Sequence, residues 1–349
     1  MTRPSISLAF ALLAAITALT LGLSRIGERP AIPLDLSLPW SVEEFHTKNA
    51  ARFAEAVAQA TEGRVRIVLH PGATLGIKGP DSLRAARDGV VAMVDMAAFQ
   101  QVGQEPILGL DALPFLVRDQ TELRLLYEDL RPAIEAALAR HGLELLTVVP
   151  WPPQNLFTRR PITALADLEG LVVRTLDANT TELARRLEMT PVQLSGPDVV
   201  PALASGALDA VMTSTTTAAA QKYWEFLDYI HRTNHGWVIN LLVMSRAALA
   251  ELQPQDREAL RRLARQMEPD FWAVSRRDDA EKLARLEAGG MEGIAIPGDL
   301  RAAMQSAARP MWREFAARVP GARAILDRFL ERTGRPPLSE TDAPAETSP

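Results

Sequence analysis

What most narrows the architecture of this chain is an alternation: from Leu34 onward, short apolar runs rich in β-branched residues take turns with stretches of helical periodicity. That rhythm builds α/β folds from crossover units, because a strand buried on both faces reads as one apolar run while the returning helix covers it. Ser41 and Glu44 form a capping box, and Phe45, Asn49, Phe53 and Val57 share one face of the helix that follows. Strands are predicted over 65–69, 90–96 and 143–149, with a short helix over 81–88 and a helical pair from Asp119 to His141 broken at Pro132. Three prolines around Trp151, in 150–153, stop any regular element and leave an extended crossing segment.

Beyond that crossing the pattern restarts, with strands 171–175, 191–194 and 208–213 alternating with helices 179–187, 197–205 and 214–227. An apolar strand over 238–244 then leads into one long helix from about 255 to 287, where Leu260, Leu263, Met267, Phe271 and Val274 recur at helical spacing. Such a helix reaches across two domains, with Pro269 marking a bend. A chain of 349 residues is long enough to bury two cores.

Composition removes several function classes. A net charge of -5 and the lack of any Lys/Arg cluster provide no basic field for nucleic acid. Cysteine is absent, which removes disulfides, thiolate nucleophiles and zinc knuckles. His46, His70, His141, His231 and His235 are scattered, and the last two flank an Asn-Gly turn unsuited to a helical metal pair, so no metal is expected. No Walker loop, nucleophile elbow, H-E-x-x-H or dinucleotide fingerprint occurs, so neither an enzyme nor a cofactor is expected.

The start of the chain carries a targeting pattern: Arg3, an apolar run over 6–23, then Arg25, Glu28 and Arg29. Residues 1–30 read as an export signal, or as an uncleaved anchor because no clean small-residue cleavage site follows. At the other end, 336–349 is rich in Pro, Ser, Thr and acids and reads as a disordered tail.

Four segments, TEGRVRIVLHPGATLG (61–76), RDGVVAMVDM (87–96) with LDALPFL (110–116), ITALADLEGLVVRT (162–175) and ALASGALDAVMTSTTT (202–217), occur in an order and spacing that can be matched to a family. Over roughly 34–311 the chain resembles the DctP-type solute-binding subunit of tripartite ATP-independent periplasmic (TRAP) transporters. The resemblance implies a periplasmic binding protein type II-like fold, with two α/β domains around a ligand cleft joined by crossing strands and a domain-spanning helix. Residues 34–150 with about 240–275 would form the first domain, and 151–239 with about 276–335 the second. It further implies a periplasmic receptor, expected as a monomer, that captures a small organic acid and delivers it to the membrane permease subunits of a TRAP transporter. An ABC-importer receptor and a membrane-anchored sensory binding protein share the cleft and are the alternatives.

The third segment is the most specific. It has the family's Pro161-Ile162 turn, the Asp167-Leu168-Glu169-Gly170 turn and the strand Leu171-Val172-Val173-Arg174, which implies that Arg174 grips the ligand carboxylate. A guanidinium fork at the carboxyl end of a parallel strand also suits that task on physical grounds. Thr213 and Ser214 end a strand at a helix start, where hydroxyls and free amides meet, and the family places a polar contact at the Thr213 position. Sialic-acid-type receptors carry a second Arg where this chain has Gln154. Trp151, Gln154 and Asn155 offer an aromatic face and two amides instead, with Trp40, Phe99 and Trp237 near strand ends as further candidates. One Arg among aromatics suits an aromatic or short branched monocarboxylate better than a polyhydroxylated acid. Each of these aromatics, taken singly, also fits a core position.

Overall fold

The computed structural model describes residues 31–338, so the apolar run over 6–23 and residues 339–349 lie outside the described residues. Eleven strands form two sheets. In chain order they are β1 (Ile32–Ser37), β2 (Val65–His70), β3 (Met93–Ala97), β4 (Leu143–Pro150), β5 (Gln154–Thr158), β6 (Val172–Thr175), β7 (Thr190–Gln193), β8 (Ala210–Ser214), β9 (Tyr229–Gly236), β10 (Ile239–Ser245) and β11 (Glu292–Ile294). The helices are α1 (Phe45–Ala60), α2 (Ser82–Arg87), α3 (Gln120–Arg140), α4 (Ala178–Arg186), α5 (Gly196–Ala204), α6 (Thr215–Ala220), α7 (Arg246–Glu251), α8 (Pro254–Ala288), α9 (Gly298–Arg318) and α10 (Ala322–Arg332).

The first sheet runs β2-β1-β3-β10-β4 and the second β11-β9-β5-β8-β6-β7. The runs flanked by helices pair in parallel, β1 with β2 and β3, and β6 with β7 and β8, as crossover units require. One strand per sheet, β10 in the first and β5 in the second, runs antiparallel to its neighbours, because the chain enters it from the other sheet. The chain leaves β4 at Pro150 and enters β5 at Gln154, then leaves β9 at Gly236 and enters β10 at Ile239. The crossings lie side by side, joined by the Trp151 N–H donating to the Val238 carbonyl at 2.8 Å. Pro152 and Pro153 have no N–H to offer either sheet, so this stretch belongs to neither.

Several local expectations are corrected. Val90 is 67% exposed in a turn and β3 starts only at Met93. The helical pair around Pro132 is one helix, α3, in which the loss of a single N–H is outweighed by buried Leu126, Leu130, Ile134 and Leu138 on both sides of the proline. The helix expected over 214–227 ends at Ala220, because Lys222 adopts a left-handed conformation (φ 53°). Leu338, placed in the disordered tail, is instead buried, and its N–H donates to Asp327 at 2.9 Å.

Helix α8 is the long helix expected from the apolar spacing, and its 35 residues span about 50 Å. It packs on α1 and β4 of the first sheet's layer and then on α6 of the second. Helix α9 packs on α4 while α10 packs on α3, so the C-terminal helices, expected wholly in the second unit, touch both layers. One core lies between the first sheet and α1 and α8, around Leu36, Phe53 and Phe271. Another lies against the second sheet, around Phe157, Leu203 and Tyr223, and a third runs continuously between the two layers.

Candidate functional site

Between the sheets lies a cavity of about 620 Å³. Trp40, Glu44 and Phe99 line it from the first sheet's side, Arg174, Thr213, Ser214 and Thr217 from the second's, and Trp151, Gln154 and Val238 from the crossings.

Arg174 is the third residue of β6 and is 6% exposed. Its guanidinium is held by the strands on either side: Nε and Nη2 donate to the Leu194 carbonyl at 3.0 and 2.9 Å, and Nη1 donates to the Met212 carbonyl at 3.1 Å. No carboxylate pairs with it among the described residues, and two of its five N–H groups have no partner there. Burial lowers its pKa from the ordinary value, with nearby Tyr223 and Asp177 acting the other way. The arrangement is a buried cation, oriented by neutral oxygens, at the edge of an open cavity. Such a group gains most from an incoming anion.

Gln154, on β5, lies in the same lining with β8 between it and the Arg174 strand. Its Nε2 donates to the Pro152 carbonyl at 3.1 Å, but its buried Oε1 has no hydrogen-bond partner among the described residues. Thr213 is nearly buried, and Ser214 caps α6 by accepting the Thr217 N–H at 3.3 Å.

The aromatic wall consists of Trp40 and Trp151, whose rings meet edge to face with centroids 5.0 Å apart. Both indoles are fixed from behind. Trp40 Nε1 donates to Asp95 at 2.9 Å, Trp151 Nε1 donates to the Asn240 Oδ1 at 2.6 Å, and Asn240 Nδ2 donates to the same Asp95 oxygen. Phe99 also lines the cavity.

Two candidates are placed elsewhere. Asn155 donates to the Pro153 carbonyl at 3.1 Å and accepts the Asn234 N–H at 3.2 Å, which ties β5 to the end of β9. Neighbours in a strand point to opposite faces, so with Gln154 in the cavity Asn155 turns away. Trp237 is buried in the core between the layers and is not part of the lining.

Sequence reasoning missed Asp95, Asn240, Lys78 and the cavity role of Glu44. Asp95 and Asn240 were visible as lone polar residues within apolar strands, a signal that buried polar groups meet. Lys78 is exposed and lines the cavity. The expected capping box does not form, because α1 starts only at Phe45 with Glu44 itself at the N-cap position; the Glu44 Oε2 instead accepts the Ser41 N–H at 3.0 Å across the preceding turn, its carboxyl lines the cavity, and burial pushes it up to about 7.

Burial raises four other acids, Asp95 to about 7, Asp111 to about 8, and Asp177 and Asp278 in the same direction, and lowers three imidazoles: His46 well below the usual range, His231 to about 4 and His235 to about 3. A raised acid holds its proton in the folded chain after the unfolded chain has lost it, so stability falls as pH rises from roughly 4 to 8. A lowered histidine works oppositely, and its contribution is lost as pH falls below about 6.5. The two groups offset one another in mild acid, and only the acids act above it. Calorimetric melting of the unliganded protein is therefore expected to fall between about pH 6.5 and 8.5. A melting temperature that holds or rises over that range would contradict these assignments.

Residues 37–318 match the DctP family, bacterial extracellular solute-binding protein, family 7. The chain belongs to that family. It is accordingly a TRAP-type extracytoplasmic solute receptor and not an enzyme, in agreement with the four segments and the fold they implied. A solute-binding protein of Chromohalobacter salexigens is 24% identical over 281 residues, covering 78% of this chain and 82% of the relative. Among solved structures, DctP7 of Bordetella pertussis, an extracytoplasmic solute receptor binding pyroglutamic acid, aligns with a TM-score of 0.83 at 26% identity over 86% of this chain and 99% of that one. A TRAP solute binding protein from a marine metagenome, specific for pyroglutamate, aligns at 0.81 with 26% identity over 87% and 100% of the two chains.

Proposed function

We propose that this receptor captures a small monocarboxylate with a compact, flat body and passes it to a TRAP permease, with Arg174 binding the carboxylate. The observation that carries this reading is the Arg174 guanidinium, buried at the cavity edge with carbonyl oxygens but no carboxylate as partners. Trp40 and Trp151 supply an apolar wall for the ligand body, and the unpartnered Gln154 Oε1 with Thr213 and Ser214 supplies polar contacts. The pyroglutamate receptors support a compact, ring-bearing monocarboxylate. Closure about the paired crossings at 151–153 and 237–238, with the receptor acting as a periplasmic monomer, completes the reading.

A thermal-shift screen of organic acids tests it. Pyroglutamate and small aromatic or branched monocarboxylates are expected to stabilise the protein, by about 2.7 kcal/mol at a hundredfold excess over Kd. Sialic acid is expected to leave the melting temperature unchanged. Stabilisation by sugar acids with none from compact monocarboxylates would sink the proposal.

A further inference from the structure

Glu44 presents the cavity with a carboxyl that the fold uses only in part. One oxygen accepts the Ser41 N–H, and no Lys, Arg or His pairs with the group among the described residues. The charges that reach it come from other acids, Asp278 on α8 and Asp95 on β3, both of which raise its pKa. From α6 the Thr217 side chain hydrogen-bonds toward the carboxyl and favours its ionised form, so the group lies where the two sides of the cavity meet, and a carboxylate, with about four acceptor sites, has capacity left for a further donor. A turn closed by a side-chain bond to the Ser41 N–H works equally well on an exposed surface and needs neither the 8% exposure of Glu44 nor its place in a cavity wall. A buried carboxyl without a counter-charge is costly unless something else hydrogen-bonds to it.

We propose that Glu44 is a specificity-determining residue whose remaining acceptor capacity takes a hydrogen bond from an N–H or O–H group of the ligand, so that the receptor selects acids bearing one carboxylate and one such donor. This rests on the reading of Arg174 as the carboxylate anchor. The ligand then bridges the cavity, its anionic end on the second sheet's side and its donor on the first. A dicarboxylate would bring a second anion against Glu44 and is disfavoured.

The test compares two probes of one shape: pyroglutamate, with a lactam N–H, and 5-oxotetrahydrofuran-2-carboxylate, in which a ring oxygen replaces that N–H. By calorimetry the wild-type protein is expected to bind the lactam at least about tenfold more tightly. Glu44→Gln keeps an oxygen for the Ser41 N–H, so the unliganded protein should still melt cooperatively. The variant should lose about tenfold for the lactam and stay within about twofold for the lactone. Equal wild-type affinities for the two probes, or an equal loss for both in the variant, would overturn the role of Glu44 while leaving Arg174 untouched. Binding of neither probe by the wild-type protein would remove the compact-monocarboxylate reading, and this inference with it. The wild-type preference requires no variant and decides the matter even if Glu44→Gln fails to fold.

Discussion

Arg174→Ala is expected to weaken binding of the receptor's acid by more than about a hundredfold while leaving the protein folded, because truncating one partner of a buried charge pair costs about 3–5 kcal/mol. The loss is large because the ligand carboxylate would still leave water and would find no buried counter-charge, the other cation of the lining, Lys78, being exposed to solvent. The fold is expected to survive, since the guanidinium bonds only to the carbonyls of Leu194 and Met212, and those oxygens would then face the cavity. Removing a desolvated cation can even raise the melting temperature of the unliganded protein. Arg174→Lys keeps the charge but not the fork, and should recover only part of the affinity. Titration calorimetry beside circular dichroism checks both variants. Near-wild-type affinity in Arg174→Ala would remove the anchor on which the proposed function depends.

For stability, the largest effect is expected at Trp272 of α8. The side chain is 1% exposed, its indole N–H donates to the Val148 carbonyl at 2.9 Å, and the Gln120 amide donates to its backbone carbonyl at 3.1 Å. The Arg124 guanidinium lies 4.5 Å above the ring, and the Tyr127 ring packs at 5.9 Å. Trp272→Ala would empty the volume of the largest fully buried side chain and is expected to cost about 3–5 kcal/mol. Urea unfolding monitored by circular dichroism checks this, and an unchanged midpoint would refute it. The effect should also reach the cavity. Six residues further along α8, Asp278 accepts a hydrogen bond from Thr216 and Asp279 accepts one from Thr215 at 2.7 Å, directly beyond Ser214. A helix loosened at Trp272 therefore frees the segment that presents Thr213 and Ser214.

Much of this molecule was legible in local sequence. Strands β2, β4, β6, β8 and β10 coincide closely with apolar runs, β7 falls within a residue of its expected bounds, and α8 follows its apolar spacing to within a residue or two of both ends. Arg174 was legible as well, because a cation after three apolar strand residues has few places to go and a family pattern says which. Strands β5 and β9 were not. Their sequences, QNLFT and YIHRTNHG, mix polar and apolar residues without period, and they are strands because the edges of neighbouring strands need partners.

The sequence by itself determined the alternation of elements, the proline crossing between the sheets, the family and the cation proposed to anchor the site. Those signals are local, carried by periodicity, caps and backbone restrictions within a turn or two of chain. Only the tertiary structure decided that Trp40 and Trp151 face the cavity while Trp237 enters the core, that Asn155 turns away where Gln154 does not, and that Glu44 loses its water. Burial and the absence of a partner are sums over atoms from distant parts of the chain. Asp95, Asn240 and the two tryptophans come from four separate segments, and no single stretch of sequence contains that sum.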